Sequence, residues 1–400
     1  MRRTLFISSV VIVLLGLGVA AYFSFFTGSA GVAVTTPGGD TTLPTAGRAG
    51  TPSTGTTGAT GSSSAGSPVA VSARLVKLSS GPVVPGEGIV SKPATASSSP
   101  ETTVKFIARE SGNVFSYNTL SKTLTRTSNK TIPGIQSALW LPDASIAFVR
   151  YLSGVDFSTI NTYALPADGT NGFFLSQNLA DLGVSSSGVL TLASGVNGST
   201  ASVLRIDGSH AVSAFSSPLS SLRVSFAGKQ YLATTKPSAT LPGNAFLVDS
   251  AGRFSHIAGP SNGLVALASP SGKWVLASYT RGGSPETELI NTATGEALPL
   301  PIGTIADKCA WAADDSAVYC GIPINPPANV SYPDDWYQGA VSFSDRIWKI
   351  QVAGRYAQLV LDFSSAKNGP LDAIALAVDS ANTTLVFVNK NDGSLWSYQL

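Results

Sequence analysis

A strand-turn-strand unit recurs along this chain, and a recurring unit restricts the possible folds more than composition does. The clearest copy is Ala268-Ser269-Pro270-Ser271-Gly272-Lys273-Trp274-Val275-Leu276-Ala277-Ser278-Tyr279, an apolar strand, a tight turn and a second apolar strand. Trp140-Leu141-Pro142-Asp143-Ala144-Ser145-Ile146-Ala147-Phe148 repeats that shape, as does Trp311-Ala312-Ala313-Asp314-Asp315-Ser316-Ala317-Val318-Tyr319. With Pro142, Pro270 and Ala313 taken as equivalent, the second gap is about 43 residues and the first about three times that, so weaker copies belong between. They fall around Ser185 and Gly228; a further copy centres on Val378, and an initial one lies near Ser99. The total is about seven units.

Each unit has room for two more strands. Asn113-Val114-Phe115-Ser116-Tyr117, Ala245-Phe246-Leu247-Val248-Asp249, Arg346-Ile347-Trp348-Lys349-Ile350 and Ser394-Leu395-Trp396-Ser397-Tyr398 read as third strands, and Arg253-Phe254-Ser255-His256-Ile257 as a polar fourth. Four antiparallel strands in a period of about 40 to 45 residues is β-propeller arithmetic. An array of double-sheet sandwiches is the alternative, but it does not demand so regular a period. Forty Gly and 24 Pro beside 43% apolar residues suit many turns joining short buried strands and exclude a helical bundle. The last unit ends at Leu400 after three strands, while residues 73–78 (Ala-Arg-Leu-Val-Lys-Leu) form an orphan strand. Adding that strand to the last unit closes the ring and protects its edge. The fold expected is all-β, a seven-bladed propeller closed by an N-terminal strand.

Ser269-Pro270-Ser271-Gly272-Lys273-Trp274-Val275-Leu276 resembles the repeat of TolB-type propellers, found also in dipeptidyl-peptidase propellers: Ser-Pro-Asp-Gly-Lys followed by an apolar strand. Other units keep only part of it, as in Trp140-Leu141-Pro142-Asp143. The likeness covers residues 73–400 and implies a propeller. It implies no activity, because neither the α/β domain of TolB nor the hydrolase domain of the peptidases is visible. The whole chain is also similar to membrane-anchored bacterial propeller proteins, which implies an envelope setting and no chemistry.

Ahead of the repeats, residues 1–3 include Arg2 and Arg3, and residues 4–26 run without a charge. That length crosses a hydrocarbon layer of roughly 30 Å as a helix. The arginines place the N-terminus in the cytoplasm and everything after Phe26 outside it, a single-pass membrane arrangement. A cleaved signal peptide ending near Gly28 or Ala30 is the competing reading, but its apolar region is ordinarily shorter. Residues 27–68 are almost wholly Gly, Ser, Thr, Pro and Ala, and so are expected to be a disordered linker with a mean reach of roughly 35 Å. The propeller domain is assigned to residues 69–400.

Twenty-five basic and 23 acidic residues leave a net charge of +2 without any like-charge block, which argues against nucleic acid as a partner. The interval between the copies at Ala313 and Val378 exceeds the period by about 22 residues, which enlarges the loop between the second and third strands of the sixth unit. In an up-and-down sheet that loop shares an end with the connections between blades and overhangs the channel mouth. Tyr332, Asp334, Asp335, Trp336, Tyr337 and Gln338 within it are the candidate partner- or ligand-binding residues, since rigid aromatics supply contact area at low entropy cost. The same residues also suit a lid packed on its own ring. Asp334 and Asp335 alone do not define a metal site, and Asn389-Lys390-Asn391-Asp392-Gly393 reads as a hairpin turn.

Cys309 and Cys320 are the only cysteines. A hairpin that opposes Trp311 to Val318 across the Asp314-Asp315 turn also opposes these two, giving either a cross-strand disulfide or two buried thiols. His210 and His256, the only histidines, accompany no Gly-x-Ser-x-Gly elbow, so no catalytic residue is assigned. No cofactor or metal is called for. The function expected is a binding or scaffolding module for a protein, peptide or glycan of the cell envelope. The alternative is an extracytoplasmic hydrolase or lyase with acids at the channel mouth.

Overall fold

A computed structural model of the chain describes residues 74–93, 100–327, 329–363 and 370–400. The expected membrane segment 4–26 and linker 27–68 lie outside the described residues. Among the described residues no helix is long and apolar enough to cross a membrane.

Seven four-stranded antiparallel sheets account for the strands. Blades 1 to 6 occupy residues 88–126, 135–174, 179–217, 222–262, 265–299 and 309–362, each with its strands in chain order from the inner to the outer. Blade 7 has three strands, Ala373–Val378, Thr384–Asn389 and Leu395–Gln399, and takes its outer strand from Leu75–Lys77. Leu75 opposes Tyr398 and Lys77 opposes Trp396. Arg74 and Lys77 also lie over the Tyr398 and Trp396 rings, at 5.1 and 5.8 Å, so cation–π contacts reinforce the ladder.

Each second strand holds a buried, mainly apolar stretch because both faces of each sheet are covered by neighbouring blades; Thr384–Asn389 is buried at every position. A separate apolar cluster fills each junction. Trp140 joins Val84, Ile107 and Leu165 between blades 1 and 2, and Trp311 joins Leu276, Leu289 and Val318 between blades 5 and 6. Val104 and Phe106 meet Val386 and Val388 between blades 7 and 1, which completes the circle. The chain is a seven-bladed β-propeller.

Two ends of the ring differ in what they connect. One carries the hairpins between second and third strands together with the passages between blades, and is called the lid end below. The other carries the hairpins between first and second strands and between third and fourth. Here the Ser269-Pro270-Ser271-Gly272 turn abuts the equivalent turn of blade 4, and a Cβ on Gly272 would come within 2.3 Å of Ala227 O. Gly272 also has a φ of +76°, so glycine is required twice over. On its other side, Ser269 Oγ donates to Asp315 of blade 6 at 2.8 Å. Neighbouring blades are thus stitched turn to turn at this end.

Candidate functional site at the lid end

The enlarged loop of blade 6, residues 324–344, lies across the lid end and touches four blades. Its one-turn helix, Asp334–Tyr337, carries most of the contacts. Asp334 accepts from the amide of Ala239 in blade 4 at 3.1 Å, and the carbonyl of Tyr332 accepts from Thr280 of blade 5. Tyr337 donates to Asp307 Oδ2 at 2.7 Å, just before the blade 6 inner strand. Lys390 of blade 7 donates to the carbonyls of Trp336 and Val341 and lies 4.9 Å from the Trp336 ring centre.

Beneath this loop is a charged cluster with no exposure to solvent. Lys308 Nζ pairs with Asp345 Oδ2 at 2.8 Å and with Asp372, and its side chain lies 5.0 Å from Trp336 and 5.3 Å from Phe343. Asp372 Oδ2 accepts from Trp336 Nε1 and Phe343 N, both at 3.0 Å. Asp345 Oδ2 accepts from Ala373 N at 2.7 Å. Burial raises the Asp345 carboxyl to about 6, against the opposing pull of Lys308 and with help from Asp372. A second pair crosses the mouth from blade 4: the Arg223 guanidinium grips Asp307 with two bonds, of 2.9 and 3.1 Å. Burial first, and then the Asp307 charge, push the Tyr337 hydroxyl above its ordinary range, although two-fifths of that residue remains exposed. The ring thus faces solvent while its hydroxyl end is enclosed.

Placed individually, Tyr332 and Trp336 are buried, Asp334 and Asp335 are half-buried and engaged with backbone amides, and Tyr337 and Gln338 are exposed. Cys309 and Cys320 stand opposite each other in blade 6 and form a disulfide. His210 and His256 are both exposed, with His210 in the hairpin before the blade 3 outer strand and His256 on the outer strand of blade 4, away from the mouth. Among the described residues no group of three or more His, Cys, Asp or Glu side chains is placed to hold a metal ion. Asp392 Oδ1 accepts from Ser394 and Asn389 within its own hairpin, and its Oδ2 pairs with Lys77 of the closing strand at 3.3 Å.

Sequence reasoning missed Glu87, Lys308 and Asp372. Each directly precedes the inner strand of its blade, and each is buried. Burial raises the Glu87 carboxyl well above the carboxylate range. A charge immediately ahead of an apolar first strand, in three units of the repeat, was the available signal.

Apolar side chains also protrude at this end. Val155 and Phe157 on the blade 2 hairpin, Val196 on the blade 3 hairpin and Leu241 on the blade 4 hairpin are 99%, 67%, 101% and 70% exposed, with Leu219 beside them. The turns of the opposite end are rich in Ser, Asp, Gly and Lys, and Leu120, Val212, Phe254 and Tyr356, at or next to the third-to-fourth hairpins, are exposed large apolar residues there.

No family model matches the sequence, and neither does any curated protein. Solved structures do. An oligogalacturonate lyase from Vibrio parahaemolyticus superposes with a TM-score of 0.54 at 8% identity, over 81% of this chain and 93% of that one. Virginiamycin B lyase from Staphylococcus aureus gives 0.51 at 10% identity, over 82% and 98%. TolB from Acinetobacter baumannii gives 0.43 at 9% identity, over 78% and 80%. The likeness is one of fold. At such identities no residue role transfers with it.

Proposed function

We propose that this chain is a membrane-anchored, extracytoplasmic binding or scaffolding module whose lid end receives a protein partner of the cell envelope. The observation that supports this most is the group of strongly exposed apolar side chains at the lid end, with Val155, Phe157, Val196 and Leu241 projecting from the hairpins of three successive blades. Clustered apolar and aromatic exposure rimmed by polar residues is how interaction surfaces announce themselves. The anchor and linker rest on the sequence of residues 4–68. A hydrolase or lyase needs acid–base groups that reach a substrate, whereas Asp345 and Asp372 are tied to Lys308, Asp307 to Arg223, and the Glu87 carboxyl, though unpaired, is buried.

Affinity capture from an envelope extract tests the reading. A partner held by the wild-type ring and by Leu120→Ser should be lost when Val155, Phe157, Val196 and Leu241 are replaced together by Ser. Equal capture by all three proteins refutes the assignment of the lid end.

A further inference from the structure

Blade 5 has a truncated outer strand. Ala297–Pro299 covers only Glu288–Ile290 of the strand before it, and the chain then turns inward through Leu300, Pro301, Ile302 and Gly303 towards blade 6. Proline at 299 and 301 explains the stop, since each lacks the amide a ladder needs. The missing length leaves the facing side of blade 6 uncovered. A cleft of about 760 Å³ results, with Ile322 and Trp348 from blade 6, Pro285 and Ile302 from blade 5, and Arg346, Arg355 and Tyr356 around it.

Its composition is selective. Two arginines line the cleft and no carboxylate does. Arg355 is exposed, and Tyr356 beside it is 55% exposed. Arg346 holds Asp362 through Nε at 2.9 Å. Trp348 stands opposite Leu359, itself an exposed leucine of the outer strand. Trp, Tyr and Arg are the three side chains that most often anchor a protein partner, and a planar guanidinium fits a carboxylate with two parallel bonds.

We infer that this cleft binds an extended, acidic peptide segment of a partner protein, with apolar side chains against Trp348 and Ile322 and carboxylates on Arg355. An extended chain sends alternate side chains to opposite sides, which lets one segment use the apolar floor and the basic rim together. The cleft adjoins the lid end, since Pro285, Ile302, Ile324 and Pro326 line it, but Val155, Phe157, Val196 and Leu241 do not, so changes at those four residues and at Arg355 test the two readings separately.

The probe is a short fluorescein-labelled peptide of alternating Glu and Leu, titrated with the ring, residues 70–400, which contains every strand and every blade junction described above. Fluorescence anisotropy should show saturable binding that weakens as salt is added. Arg355→Glu, a change at an exposed position, should weaken binding at least about tenfold, the loss expected when a charge-assisted pair becomes a repulsion. Trp348→Ala should also weaken it, while Lys229→Glu on the blade 4 turn should leave it unchanged. Absence of binding overturns the inference, as does equal binding of a Gln–Leu peptide or wild-type affinity in both Arg355→Glu and Trp348→Ala.

Discussion

Lys308 shows how strongly one side chain can depend on its partners. It is fully buried, and the two carboxylates that satisfy it are equally buried. Lys308→Met leaves Asp345 and Asp372 enclosed without a counter-charge, so unfolding in urea should register a loss of about 3–5 kcal/mol. A loss below about 1 kcal/mol would mean that the mouth admits water, where surface-like pairs are weak. The pH dependence has a definite sign. Burial lifts Asp345 from its ordinary 3.8 to about 6, so between those values the folded protein retains a proton that the unfolded chain releases. Stability from this group therefore falls as pH rises through that window, and Asp345→Asn should remove that part of the slope. Little of this was legible beforehand. Lys308 and Asp372 are 64 positions apart, and in sequence each looks like a solvated turn residue. Cys309 and Cys320 were easier, because one hairpin turn sets the register of both.

At the level of strands, the repeat was readable because a propeller strand packed on both faces has to be a short apolar run, whatever its exact residues. The orphan strand was readable by subtraction. Its extent was less so: Leu75–Lys77 is shorter than residues 73–78, and the outer strand of blade 4 runs on to Asn262 through register shifts that no periodicity predicts. The truncation of blade 5 escaped notice for the same reason, since outer strands carry little apolar pattern. The closing strand offers a direct check. Gln399 N donates to Arg74 O and Leu78 N to Leu395 O, so alternation makes Val76 the paired position between them. Val76→Pro removes that donor and should cost about 2 kcal/mol. An unchanged thermal melting curve would show that the borrowed strand contributes nothing to closure.

Across the whole molecule, the ring and its lid are separable in construction though not in contact. The seven sheets are complete without residues 324–344, yet Tyr332, Trp336 and Phe343 of that loop belong to the apolar cluster between blades 5 and 6, and Trp336 roofs Lys308 and donates to Asp372. Sequence left the loop open between a recognition surface and a self-packed lid, because Trp and Tyr serve either purpose and only their burial separates the two. Tyr332 and Trp336 face inward and Tyr337 outward, so the loop divides between the purposes residue by residue. Trp336→Ala should therefore act locally. Native-state hydrogen exchange should speed up across residues 334–345 and at Ala373, whose amide is held by Asp345, while the inner strands Leu179–Ser185 and Leu222–Ala227 keep their protection. If exchange instead accelerates uniformly around the ring, the lid is part of the same cooperative unit as the blades. The propeller would then be held together across its mouth as well as around its circumference.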